Sequence, residues 1–161
     1  MKSGLEFDTH SDSETRALGR RLAKMLPDRG VVLLIGELGS GKTTLAKGIV
    51  EGRGVASAEA VSSPTFTLIH EYGEPVGIYH IDLYRLNTLD EARRLGLEDV
   101  FEQPALVLVE WGERFPELLP RQRVEIRLSH KGEETRSVHV RDLSECHEKD
   151  ASNRDWTPLV S

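Results

Sequence analysis

The stretch VVLLIGELGSGKTT, residues 31–44, decides the fold of this chain. It begins with five consecutive apolar residues rich in β-branched side chains, which is typical of a buried strand in a parallel sheet. The sequence Gly36-x-x-x-x-Gly41-Lys42-Thr43 follows and matches the P-loop pattern. A segment compatible with a helix comes next, so the motif has the flanking strand and helix that it requires. The stretch predicts an α/β P-loop NTPase fold that binds a nucleotide phosphate.

The residue types of this loop suit phosphate chemistry. Glycines let backbone N–H groups converge on phosphate oxygens without a Cβ in the way. The positive end of the following helix is expected to point at the anion. We expect Lys42 to reach the β- and γ-phosphates and the Thr43 hydroxyl to bind Mg²⁺. The chain lacks the Asn-Lys-x-Asp sequence with which G proteins usually read guanine, and this favours ATP.

Hydrophobic periodicity predicts the remaining elements. Ser11 followed by Glu14 has capping-box spacing and begins a predicted helix over residues 11–26. Further helices are predicted over residues 41–50 and 89–97, and strands over residues 66–72, 76–82, 105–109, 124–128 and 137–140. This order indicates a mixed, mainly parallel sheet flanked by helices, with an inserted β-hairpin. We expect one P-loop ATPase domain over residues 1–142 and a polar, flexible tail over residues 143–161.

Composition limits the possible classes of function. The 161 residues are 38% hydrophobic and 30% charged, which suits one globular domain. A net charge of −6 argues against a protein that binds nucleic acid through bulk electrostatics. The single cysteine, Cys146, cannot form an internal disulfide, and the sequence shows neither an apolar signal core nor a run of 18 apolar residues. We therefore expect a cytoplasmic protein without a membrane span.

Two carboxylates end predicted strands: Glu110 within ALVLVEWGE and Asp82 within HIDLYR. A P-loop site needs a carboxylate that helps to hold Mg²⁺ and a group that orients the attacking water. Spacing alone leaves open which residue has which role. His80 is interpreted as a strand residue with a local hydrogen bond rather than as a metal ligand. Arg85 is the best candidate for an arginine finger, although a structural salt bridge explains it equally well.

The hydroxyl-rich segment SSPTFT, residues 62–67, has two interpretations. Hydroxyl side chains before a strand commonly serve turn chemistry. In P-loop NTPases, however, the loop after the first helix often carries a threonine that senses the γ-phosphate and the metal, and Thr65 lies at about that place. The spacing by itself slightly favours turn chemistry.

Four motifs together resemble one family. GELGSGKTT, SSPTFTLIHEY, HIDLYRL and LVEWGE occur in the order and spacing of the bacterial TsaE (YjeE) family, and the resemblance covers roughly residues 11–140. These are small P-loop ATPases with a mixed sheet that take part in tRNA threonylcarbamoyladenosine biosynthesis. The resemblance implies ATP and Mg²⁺ as cofactors and the TsaB and TsaD proteins as partners. Hydrolysis would support TsaD in forming N6-threonylcarbamoyladenosine next to the anticodon of tRNAs that read ANN codons, with tRNA contacted mainly by the partners.

The resemblance also implies roles for individual residues. Thr43 and Glu110 would bind Mg²⁺. Asp82, Thr65 and Lys42 would be catalytic, with Asp82 needed for hydrolysis and Thr65 in a switch-like loop. The nucleotide would be bound by Ser11, Thr15, Glu37, Leu38, Gly39, Ser40, Gly41, Lys42, Thr43, Thr44, Trp111 and Arg136. Among these, Ser11, Thr15 and Arg136 mark the regions expected to hold the adenine.

Two other classes of function remain as alternatives. A small-molecule P-loop kinase of this size would need an acceptor pocket and a basic lid over the phosphates, and the chain has no clear arginine-rich lid. A nucleotide-dependent interaction module would need no turnover, and two carboxylates near the P-loop argue against it. The leading hypothesis is therefore an Mg²⁺-dependent ATPase, weak alone, that acts on a protein complex.

Overall fold

The computed structural model describes residues 4–57, 60–61 and 68–143. Thr65, Cys146 and the predicted tail over residues 143–161, apart from Leu143, lie outside these residues. The elements are β1 (Leu5–Thr9), α1 (Asp12–Ala23), β2 (Gly30–Ile35), α2 (Lys42–Gly52), β3 (Ile69–Tyr72), β4 (Ile78–Asp82), α3 (Leu89–Arg94), α4 (Leu97–Phe101), β5 (Leu106–Glu110), β6 (Val124–His130) and β7 (Arg136–Asp142). Two short 3₁₀ turns, Gly112–Arg114 and Pro116–Leu118, follow β5.

The strands form one seven-stranded sheet in the order β1-β7-β6-β2-β5-β4-β3. The four central strands β6, β2, β5 and β4 pair in parallel, whereas β1–β7, β7–β6 and β4–β3 are antiparallel. The predicted mixed sheet with a parallel centre is therefore confirmed. The predicted hairpin is β3–β4, and its second strand is at the same time part of the main sheet because it pairs with β5.

Helices cover both faces of the parallel strands, which explains why β2 is apolar from Val31 to Ile35 and β5 from Leu106 to Val109, before Glu110 ends it. On one face, α1 and α2 pack over alternate residues of the sheet, among them Val32, Leu34 and Leu108. On the other face, α3, α4 and the 3₁₀ turns bury Leu33, Val107 and their neighbours. The P-loop, which joins β2 to α2, is thus anchored at both ends in the core.

Helices α1 and α2 approach each other at backbone distance. A Cβ on Gly19 of α1 would lie 2.5 Å from the carbonyl oxygen of Leu45, and a Cβ on Gly48 of α2 would overlap the carbonyl of Arg16. Only glycine fits such a contact. Because α2 begins at the P-loop, this contact fixes the direction in which the start of the helix points.

Several ends differ from prediction by two or three residues, as where α1 stops at Ala23 rather than at residue 26, and two larger differences concern whole elements. Strand β1 was not predicted, because LEFDT is short and its order comes from pairing with β7, which the local pattern does not show. The helix predicted over residues 89–97 is instead two helices, since Gly96 adopts φ 71° and begins α4. In the part of the chain that the structure describes, we find no helix of the length and apolarity that crossing a membrane requires.

Candidate functional site

The parallel centre of the sheet brings the predicted site residues together. Register places Leu34 of β2 opposite Glu110 of β5, and Glu110 opposite Asp82 of β4. Carboxyl ends of parallel strands meet at one edge of a sheet, where ligands bind in α/β folds. Because the P-loop follows β2 directly, the two carboxylates lie next to it.

The P-loop presents an open helix start. Gly39 and Gly41 adopt φ 77° and 104°, values that favour glycine. Gly41 is the N-cap of α2 and has no side chain with which to satisfy the N–H groups of the first turn. These N–H groups and the positive end of the helix dipole are therefore available to an anion.

A cavity of about 490 Å³ opens at this edge of the sheet. This volume is in the range of small-molecule sites. It is lined by Asp12, Leu38, Gly39, Gly41, Lys42, Thr43, Thr44, Asp82, Tyr84, Glu110, Trp111 and Arg136. Most of the predicted phosphate, metal and hydrolysis residues thus share one cavity.

Lys42 lies at the centre of the charges in this cavity. Its Nζ donates a hydrogen bond to the carbonyl oxygen of Gly36 at 2.6 Å and lies 3.5 Å from the centroid of the Trp111 ring. Burial lowers the pKa of Lys42, while the negative charges of Glu110, Glu113 and Asp82 raise it. The ammonium group is therefore held by a carbonyl and an aromatic ring, with carboxylates around it.

Glu110 is buried, with 3% of its surface exposed. Its Oε2 accepts a hydrogen bond from Nε2 of His80 at 2.5 Å, and His80 is fully buried. His80 is a strand residue, as interpreted from the sequence, but the partner of its hydrogen bond is 30 positions away rather than local. A buried carboxylate needs such a partner, because an unpaired charge away from water is costly.

Asp82 is equally buried, and one of its contacts is to the backbone. Its Oδ1 accepts a hydrogen bond from the backbone N–H of Tyr84 at 2.8 Å, which stabilises the turn after β4. The backbone N–H of Leu83 donates to the carbonyl of Glu110 at 3.0 Å, so the two strand ends stay paired beyond the last residue of β4.

Two aromatic side chains, those of Tyr84 and Trp111, line the cavity on the side of β5. The centroids of the Tyr84 and Trp111 rings are 5.1 Å apart, and Trp111 adopts φ 64° directly after Glu110. The guanidinium carbon of Arg114 lies 5.5 Å from the centroid of Tyr84 and 5.8 Å from that of Trp111. Tyr84 was not among the predicted site residues, although its place two residues after Asp82 was a usable signal.

The predicted adenine residues are placed less directly. The Ser11 hydroxyl caps α1 by accepting from the N–H of Glu14 at 3.1 Å, and the Thr15 hydroxyl is buried against that of Thr9 at 2.7 Å. Neither side chain lines the cavity, whereas Asp12, which sequence reasoning missed and for which no signal was visible, does. The adenine assignments of Ser11 and Thr15 therefore stay predictions.

The remaining predicted residues surround the loop. Arg136 lines the cavity and donates from Nε to the carbonyl oxygen of Ser40 at 3.1 Å. Glu37 and Ser40 line a neighbouring cavity of about 340 Å³ together with Arg127. Their roles in nucleotide binding stay predictions, as does the role of Thr65.

The donors at this edge fit Mg²⁺. The cavity offers the Thr43 hydroxyl and the carboxylates of Glu110 and Asp82, all hard oxygen ligands. Within residues 4–57, 60–61 and 68–143 there is no group of three or more His, Cys, Asp or Glu side chains that could hold a metal ion by itself. At phosphate sites, Mg²⁺ is commonly held by one or two carboxylates together with phosphates and waters.

Comparison with known proteins agrees with this geometry. Residues 9–138 match the family model described as threonylcarbamoyl adenosine biosynthesis protein TsaE. The chain belongs to the TsaE family. It is therefore a member of a family that functions in tRNA threonylcarbamoyladenosine biosynthesis, and the resemblance carried by the four sequence motifs is confirmed.

Individual relatives support the assignment. The TsaE protein of Streptomyces coelicolor is 43% identical over 138 residues, covering 81% of this chain and 91% of that protein. The TsaE protein of Bacillus subtilis is 38% identical over 135 residues, covering 83% of each chain. The crystal structure of Bacillus subtilis YdiB superposes with a TM-score of 0.70 at 31% identity and covers 95% of this chain and 97% of that one.

Proposed function

We propose that this protein is an Mg²⁺-dependent ATPase that assists the TsaB–TsaD complex in forming threonylcarbamoyladenosine on tRNA. The observation that supports the proposal is that one cavity contains Lys42, two buried carboxylates and the uncapped start of the helix that follows the P-loop. Membership of the TsaE family supplies the pathway.

The triphosphate is bound by groups that are already in place. Backbone N–H groups of the P-loop and the start of α2 surround the phosphates. Lys42 exchanges its hydrogen bond to the carbonyl of Gly36 for the terminal phosphates, a move of the ammonium group within the same cavity. In that position, the positive charge of Lys42 reduces the repulsion between the phosphates and the carboxylates of Glu110 and Asp82.

The two carboxylates have different roles in hydrolysis. Thr43 and Glu110 would hold Mg²⁺, which supplies charge neutralisation at the β- and γ-phosphate oxygens when bound. Asp82 orients the attacking water as a buried base at the neighbouring strand end. With no arginine finger identified, slow hydrolysis alone is expected, and partner proteins would raise the rate.

The bound nucleotide acts as a switch that controls the effect of the protein on its partners. Thr65 would sense the γ-phosphate and the metal, so that ATP binding and hydrolysis define two states of the switch. The net charge of −6 fits a protein that acts on TsaB and TsaD in the cytoplasm and leaves tRNA contacts to them.

The test is phosphate release from Mg²⁺-ATP by the protein alone and with the TsaB–TsaD pair from the same source. We expect a low rate alone and marked stimulation by the pair. Absence of stimulation, with nucleotide binding intact, would contradict the assisting role, and a screen for phosphoryl transfer to nucleosides and small metabolites would then test the kinase alternative.

A further inference from the structure

His80 is a buried polar residue that the proposed mechanism does not use. It lies on β4 in register with Leu108, two residues inside the Asp82–Glu110 pair, and none of its surface is exposed. Ile78, two residues earlier on the same face of the strand, is apolar and buried. A leucine or isoleucine there would cost less to bury than an imidazole.

One ring nitrogen of His80 has a hydrogen-bond partner among the described residues, and the other has none there. Nε2 lies 2.5 Å from Oε2 of Glu110, within hydrogen-bond distance, and it donates this bond in the tautomer that carries the proton on Nε2. The other nitrogen, Nδ1, is buried and has no hydrogen-bond partner among the described residues. The hydrogen-bond contact that the structure shows for this buried imidazole is therefore the one with Glu110.

We infer that His80 is a positioning residue that holds the Glu110 carboxylate in the orientation in which it receives Mg²⁺. This inference rests on the proposed function. The hydrogen bond occupies Oε2 from inside the sheet, while Glu110 also lines the nucleotide cavity. A carboxylate fixed in this way loses little freedom when it binds a metal, and residues that fix metal ligands commonly contribute about 10–100-fold to metal affinity.

The experiment compares His80→Gln with His80→Met. The two side chains have nearly the same length and shape, but only glutamine has an amide N–H that can donate to Glu110. Affinity for a fluorescent ADP is measured with each variant and the wild type, in Mg²⁺ and in excess chelator. We expect Mg²⁺ to strengthen binding in the wild type, the strengthening to fall by about tenfold or more in His80→Met, and His80→Gln to retain most of it.

The outcomes separate this inference from the function on which it rests. If Mg²⁺ does not strengthen ADP binding by the wild type, the metal site itself is wrong. If His80→Met keeps the full effect of Mg²⁺, or loses affinity equally with and without Mg²⁺, His80 does not position a metal ligand. His70→Gln on the adjacent strand is the matched control, since His70 pairs with His80 in register and makes its side-chain hydrogen bond to Tyr72.

A second measurement covers the case in which the variants do not fold. In the ¹⁵N-labelled wild type, two-bond ¹H–¹⁵N spectra report which imidazole nitrogen carries the proton. We expect the Nε2-protonated form of His80, with a shift on adding Mg²⁺ and ADP that exceeds the shift caused by ADP alone. A proton on Nδ1 only would overturn the inference, because Nε2 would then be unable to donate to Glu110.

Discussion

Asp82 and Glu110 end neighbouring parallel strands and lie opposite each other in register, yet they are held differently. Glu110 receives a side-chain hydrogen bond from His80 inside the sheet. Asp82 receives a backbone hydrogen bond from Tyr84, in the turn outside it. Sheet topology thus explains why both carboxylates reach the site. The local partners explain how the two roles can differ: a carboxylate fixed from the interior suits a metal, and one at the turn suits a water molecule.

Asp82→Asn has the largest expected effect among the variants that test whether Asp82 and Glu110 have different roles. The asparagine oxygen can still accept from Tyr84, so the turn is kept while the charge is removed. We expect hydrolysis to fall by about 10²–10⁴-fold, the usual contribution of a general base, with ADP affinity nearly unchanged. Phosphate release and ADP titration measure the two quantities, and Asp90→Asn at the exposed start of α3 is the control. Full activity would remove Asp82 from the mechanism.

Lys42→Met tests the cation that both carboxylates share. Methionine keeps the length of the side chain but lacks the ammonium group, which we expect to donate to the terminal phosphates. A hydrogen bond to a charged group contributes about 1.5–3 kcal/mol, so ATP affinity should fall by about 10–150-fold. Titration with a non-hydrolysable ATP analogue measures this. Lys47→Met, on the same helix, should bind normally, and equal affinity of both variants would contradict the phosphate role of Lys42.

Glu110→Gln tests whether Glu110 rather than Asp82 binds the metal. The glutamine oxygen can still accept from His80, but the metal loses its charged ligand. We expect Mg²⁺ to strengthen ADP binding about tenfold less than in the wild type, while affinity in chelator stays equal or rises because a negative charge near the phosphates is gone. An Mg²⁺ titration at fixed ADP measures this. If Asp82→Asn lost the Mg²⁺ effect and Glu110→Gln kept it, the two roles would be exchanged.

The sequence predicted the elements whose signals are local. The apolar run before Gly36 and the glycine pattern predicted β2, the P-loop and α2, and the Ser11–Glu14 spacing predicted the start of α1. These signals need no knowledge of distant residues, because burial of a parallel strand and capping of a helix act within a few positions. The placement of Asp82 and Glu110 near the P-loop was also expected, because each residue ends a predicted strand.

Features that depend on distant partners were not predictable. Strand β1 exists because β7 pairs with it, and the buried contact between Thr15 and Thr9 depends on that strand. The hydrogen bond from His80 to Glu110 joins residues 30 positions apart, so its partner was not readable from HIDLYR alone. Spacing likewise left the roles of the two carboxylates open, and the resemblance rather than the pattern assigned them.

Glu113, three residues after Glu110, is a carboxylate on the same segment without such a partner, and it gives the smallest test. Its Oε1 is buried and has no hydrogen-bond partner within the described residues. Burial raises the pKa of Glu113, although a backbone hydrogen bond and the positive charges of Lys42, Arg127 and Arg114 lower it in part. Ionised Glu113 is therefore expected to destabilise the fold, in contrast to Glu110.

Linkage gives the sign of the effect on stability. Between the ordinary glutamate pKa of 4.5 and the raised folded value, the folded chain keeps a proton that the unfolded chain has lost, so the free energy of unfolding from this group falls as pH rises. Glu113→Gln removes this dependence. We expect its Tm to exceed that of the wild type by a few degrees at about pH 8 and the difference to disappear near pH 4. Thermal melts across this range, with exposed Glu117→Gln as control, measure it. A variant less stable than the wild type at pH 8 would mean that ionised Glu113 is held by its cationic neighbours, as Glu110 is held by His80.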